Sequence, residues 1–146
     1  MKELTLDATV ENISTVTAFV DEELEKIDCP MKAQMQIDIA IDEVFSNIAH
    51  YAYHPSVGSA TVKIEVIEEP MSVVITFIDG GTPYNPLEKE DPDITLSAEE
   101  REIGGLGIFM VKKSMDSIDS RRVWTRSLTN IRTGRISSES KKIYNY

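Results

Sequence analysis

Three short stretches carry residues with the means to do chemistry. Glu43 and Asn47 stand four apart in IDEVFSNIAHYAY. On a helix that spacing stacks a carboxylate and a carboxamide, about 40° apart around the axis. Such a pair can share a water, or one member can hold a metal ion while the other moves a proton. Taken alone, it reads equally as a solvated helix face. Asp79-Gly80-Gly81-Thr82-Pro83 closes an apolar run, SVVITFI. A carboxylate there can accept a hydrogen bond from a ligand's amino group, and the glycines let backbone come close to that ligand. Asp-Gly is also an ordinary turn signal. Gly104-Gly105-Leu106-Gly107 precedes a helical pattern, IFMVKKSMD. Backbone N–H groups at a helix start suit an anion. The stretch is not a phosphate loop, which needs Gly-Lys-Ser/Thr, nor a dinucleotide fingerprint, which needs a strand immediately before it.

The elements that must hold these stretches follow from periodicity. Residues 3–7 alternate and predict a short strand. Val10, Ile13, Val16, Val20, Leu24 and Ile27 predict a helix over 9–27, broken by Asp28, Cys29 and Pro30. Pro30 opens a second helix, expected to run to about Tyr53 with a stripe of Ile37, Ile41, Val44, Ile48 and Ala52. Residues 60–67 alternate and 72–78 are apolar on both faces, which predicts a hairpin with a central second strand. Between Gly80 and Ile103 periodicity fails among three prolines and seven acids. A loop of that length in a compact domain is functional or disordered. After the helix beginning at Ile108 the pattern degrades past Ile118. One strand is expected over 121–128, and the remainder reads as tail.

The chain has 146 residues, 41% hydrophobic and 27% charged, with a formal net charge of -10. That suits one globular domain with a genuine core. The charge is split. Residues 1–120 hold 8 basic and 24 acidic side chains, whereas 121–146 hold 7 basic and one acidic. The acidic body argues against a broad nucleic-acid-binding face. No run approaches the roughly 20 apolar residues of a membrane span. MKELTLDATVENIS lacks the apolar core of a signal peptide. The lone Cys29 fits a reducing compartment. A cytoplasmic protein is expected, with no membrane and no direct nucleic-acid contact. His50 and His54 have a metal-ligand spacing, but no third ligand is evident. Tyr51 and Tyr53 read as packing near a pocket.

The order and spacing of the three stretches resemble the GHKL ATPase superfamily. EVFSN looks like its N box, DGGTP like its first glycine box and GGLG like its second. IDEVFSNIAHYAY, FIDGGTPYNPLE and EIGGLGIFMVKKSMD are similar, more narrowly, to RsbW-type bacterial anti-sigma factor serine/threonine kinases, over about residues 5–119. The resemblance implies an α+β fold, a two-layer α/β sandwich of the GHKL (Bergerat) type. It would have a mixed, mainly antiparallel sheet of four or five strands and three helices on one face. Residues 1–120 would form the ATP-binding domain and 121–146 a divergent basic C-terminal segment.

By the same resemblance, Glu43 is the general base and Asn47 the Mg²⁺ ligand. Asp79 binds the adenine amino group, Gly81 permits close approach of the base, and Gly105 and Gly107 supply backbone at the phosphates. Residues 84–103 would be a lid. Apart from the resemblance, Arg101 is the nearest cation for a γ-phosphate, although it reads more readily as a surface residue pairing with Glu99 or Glu100. The implied activity uses ATP and Mg²⁺ to phosphorylate an anti-sigma-factor antagonist, and so regulates a sigma factor. A homodimer is implied as well. A non-catalytic ATP-binding module that sequesters a partner is the rival reading. Glu43 argues against it, because a pure binder has no need of a base. The departure from the family is the C-terminal segment, where its closing strand pair is not evident.

Overall fold

The computed structural model describes residues 1–68, 71–82, 106–123 and 125–134. Among them run β1 (Lys2–Asp7), α1 (Ile13–Lys26, entered through a 3-10 turn at Val10–Asn12) and α2 (Met31–Asn47). A π-helical turn (Ile48–Ala52) follows, then β2 (Ser59–Ile67), β3 (Ser72–Asp79), α3 (Leu106–Ser114), β4 (Ser117–Val123) and β5 (Arg126–Thr133). The strands form one open sheet in the order β1-β2-β3-β5-β4. All four pairings are antiparallel.

Register puts the inward residues in rows across the sheet. Val62 pairs with Phe77 and Phe77 with Thr129; Ile64 pairs with Ile75 and Ile75 with Ile131. Ile118 extends the second of these rows from β4. Successive side chains of a strand point to opposite faces, so period-2 burial gives the sheet one dry side. The helices cover that side. α1 buries Val16, Val20 and Leu24, and α2 buries Ile37, Ala40, Ile41, Val44 and Phe45. Phe45, Phe77, Leu24 and Ile37 are among the largest side chains fully enclosed. The other face of the sheet is mixed: Val74, Ile78 and Leu128 lie there half-buried, among polar pairs in which Lys63 meets Glu3, Thr5 bonds Thr61, and Thr76 donates to Asn130, which donates to Asp119. The fold is thus α+β, an open antiparallel sheet with three helices on one face. Among the described residues no helix is long and apolar enough to cross a membrane.

Two expectations change. The second helix does not stay α-helical to Tyr53; its α-helical part ends at Asn47 and the next five residues widen into the π turn. The single strand expected over 121–128 is a hairpin of two strands, and the second inserts between β3 and β4. The inward side chains of β5 are Ser127, Thr129, Ile131 and Thr133. Three of the four carry hydroxyls, so the apolar–polar alternation that normally announces a strand is absent.

Asp21 of α1 and Asp38 of α2 share a partly shielded site; one oxygen of each is buried without a hydrogen-bond partner. Burial and the neighbouring Asp21 carboxyl push Asp38 up to about 7. Burial and both carboxyls also push the Cys29 thiol up, which keeps it protonated and unreactive at neutral pH.

Candidate functional site

The site starts from how α2 is turned. Val44 and Phe45 point into the core, which carries Glu43 and Asn47 to the margin of the core, both half-buried. Asn47 Nδ2 donates to Glu43 Oε1 at 3.5 Å, a long bond that leaves the carboxamide oxygen for another ligand. From the other side comes the first turn of α3. Gly107 lies so close that a Cβ there would coincide with the Glu43 carboxylate. Its missing side chain lets the N-terminus of α3 close onto the acid. Burial, then the charge of Asp42, push Glu43 up, and the Asn47 bond opposes them. A carboxylate held this way is a stronger proton acceptor than one in water.

The π turn begins immediately after Asn47. Such turns widen the backbone by one residue and recur at functional sites. Here the turn delivers the Ala52 carbonyl to Thr82, whose N–H donates to it at 2.6 Å. Gly81 lies flush on the same peptide, and a Cβ at Gly81 would overlap the Ala52 carbonyl. Asp79 ends β3, only 7% exposed, with Ala60 and Ser127 as its neighbours across the sheet. Its Oδ1 accepts from Gly81 N at 3.0 Å. Burial pushes Asp79 up, while the Gly81 N–H and the Arg122 guanidinium pull it back.

Between these pieces opens a shallow cleft, about 340 Å³ when the open solvent at its mouth is included. Val44, Ile48 and Ala52 give it an apolar wall, and Asn47, Asp79, Thr82 and Thr129 its polar groups. An apolar wall facing a buried carboxylate and hydroxyls suits a flat heterocycle bearing an amino donor. Of the residues singled out in the sequence, Asn47 and Asp79 line this one cleft. Glu43 and Gly107 meet beside Asn47, and Gly81 backs onto Ala52 in the cleft wall. Gly105, Arg101 and residues 84–103 lie outside the described residues, as does Trp124.

Residues 6–132 match the family described as "Histidine kinase-like ATPase domain". The chain belongs to this family. The match of this histidine kinase-like ATPase domain reaches into β5, past Leu128, where the sequence predicts only tail. Among curated relatives, the chain is 28% identical over 82 residues to "Serine-protein kinase RsbW" of Bacillus cereus, covering 55% of this chain and 51% of that protein. It is 31% identical over 84 residues to the protein of the same name from Bacillus mycoides, again 55% and 51%. "Serine/threonine-protein kinase BtrW" of Bordetella bronchiseptica is 21% identical over 91 residues, 62% and 63%. The aligned stretch spans about half the length of the first of these relatives.

The donor set fits the nucleotide and metal that such a family implies. A carboxamide oxygen is a hard ligand of the kind Mg²⁺ accepts alongside phosphate oxygens and waters.

Reading by sequence missed four participants. Thr82 and Thr129 line the cleft, and Tyr53 and Arg122 hold the turn after Asp79. Tyr53, expected as packing, uses its hydroxyl. The period-2 set Ser127, Thr129, Ile131, Thr133 was the signal that could have located β5.

Proposed function

We propose that the domain binds ATP with Mg²⁺ and transfers the terminal phosphoryl group to a serine or threonine of a protein partner. By family likeness that partner is an anti-sigma-factor antagonist, and the chain then controls access to a sigma factor. The observation that carries the reading is the half-buried Glu43, raised in basicity, bonded to Asn47 and capped by Gly107 at the rim of a cleft that ends in Asp79.

In this reading Asp79 accepts from the adenine amino group and the apolar wall covers one face of the ring. Asn47 offers its carboxamide oxygen to the metal, which when bound neutralises phosphate charge. The partner's hydroxyl oxygen bonds to the terminal phosphorus as the bond from that phosphorus to the bridging oxygen breaks. Glu43 takes the hydroxyl proton. Phosphoryl transfer needs chiefly positioning and charge stabilisation, which is why so few side chains suffice. Gly105 remains a proposed phosphate contact on the strength of the resemblance, and Arg101 one by its place in the sequence.

Titration calorimetry with Mg²⁺·ATP tests the binding half; no heat at millimolar nucleotide sinks it. Transfer of labelled phosphate to a candidate antagonist tests the chemistry. Glu43→Gln should keep nucleotide affinity within a few-fold and lose about 10²-fold or more in transfer rate. Equal transfer by wild type and variant would remove Glu43 from the role of base.

A further inference from the structure

Three successive peptides after Asp79 are each held by a bond from elsewhere in the chain or from Asp79 itself. Gly80 N donates to Tyr53 Oη at 2.8 Å, and that hydroxyl donates on to Ser59 O at 2.7 Å. Gly81 N donates to Asp79 Oδ1 at 3.0 Å. The next peptide is gripped at both ends: its N–H, on Thr82, donates to Ala52 O at 2.6 Å, and its carbonyl, on Gly81, accepts from Arg122 Nη1 at 3.1 Å. Arg122 reaches there from β4, an edge strand, steadied by bonds to Ser127 Oγ at 2.9 Å and Thr125 O at 3.2 Å.

The three oxygens that receive the Arg122 fork are all uncharged. A planar guanidinium with a fixed spread of donors sets direction at such acceptors. The turn it directs carries the N–H that locks Asp79 Oδ1, and fixing one carboxylate oxygen gives the other a defined heading. A hydrogen bond discriminates between ligands only when its acceptor is held in place before binding.

We infer that Arg122, together with Tyr53, is a positioning residue that aims the Asp79 carboxylate and thereby sets the preference of the cleft for a purine bearing an amino group. This rests on the reading of Asp79 as the acceptor for adenine.

The test compares ATP with ITP, whose base has a carbonyl in place of the amino group. Affinities of both are measured by calorimetry for the full chain, Arg122→Met, Arg122→Lys and Tyr53→Phe, with the urea midpoint of each variant recorded. The wild type should prefer ATP. In Arg122→Met the ATP affinity should fall about tenfold while ITP affinity holds, so the preference collapses. Arg122→Lys should regain part of it, and Tyr53→Phe should lose part of it. Should Arg122→Met fail to fold, the ratios for Arg122→Lys and Tyr53→Phe decide instead. Equal weakening of both nucleotides would make these residues general supports and overturn the inference while leaving the adenine reading intact. A wild type that does not distinguish the two nucleotides would overturn the adenine reading, and the inference with it.

Discussion

A carboxyl group takes its properties from what surrounds it, and this chain shows two further cases besides its candidate base. Asp79 is almost enclosed, and burial pushes it up, while a backbone N–H and a nearby guanidinium oppose that shift. Asp79→Asn keeps its size but removes the charge, and its amide can present a donor where an acceptor is needed. Calorimetry should show nucleotide affinity reduced about ten- to a hundredfold. Asp38 is raised as well, with Asp21 beside it and no cation among the causes to oppose the shift. Its folded-state value of about 7 lies above the ordinary 3.8. Between those values the folded chain keeps a proton that the unfolded chain has released, so stability falls as pH rises through that window. With solvent screening of this half-exposed pair, the loss is on the order of 1 kcal/mol. Urea midpoints from pH 5 to 8 should slope downward in the wild type and flatten in Asp38→Asn. An unchanged slope in the variant would assign the effect elsewhere.

At the scale of elements, the contact between α2 and α3 ties the proposed base to the start of the helix that follows the proposed lid. Gly107→Ala puts a methyl into the Glu43 carboxylate. It should lower the melting temperature, costing about 1–3 kcal/mol, and weaken phosphoryl transfer together with stability. If the clash is the cause, Glu43→Ala combined with Gly107→Ala should restore most of that stability. A double-mutant cycle that comes out additive would refute the contact. Much of this was legible in the sequence. Glu43 and Asn47 could be placed together because helical spacing is regular, and Asp79 could be placed at a strand end because β3 is apolar throughout. The π turn was not legible, since Ile48 and Ala52 of IAHYA continue the helical stripe. β5 was not legible for a chemical reason: Ser127, Thr129 and Thr133 fill inward places where apolar residues normally signal a strand. Arg122 was invisible as a participant because its partners, two backbone oxygens and the Ser127 hydroxyl, form no motif.

For the whole molecule, the sheet is held most firmly at its middle. β3 has bonded neighbours on both sides and a face under the helices. Amide exchange should therefore be slowest in β3 and fastest in β1 and β4, the two edges. Faster exchange in β3 than in β1 would contradict this order. Ile131→Ala, in the row Ile64, Ile75, Ile131, should cost about 2–5 kcal/mol in urea unfolding. The order of the strands also bears on synthesis. The last of the described strands to be made is not an edge but the fourth in the row, between β3 and β4. While the ribosome is still adding residues 126–133, β3 stands with one side bare and Asp79 lacks Ser127 beside it. A translational pause in that interval would leave an apolar strand open to pairing with another nascent chain. The cleft, for all that its three recognisable stretches come earlier, is completed only when β5 arrives.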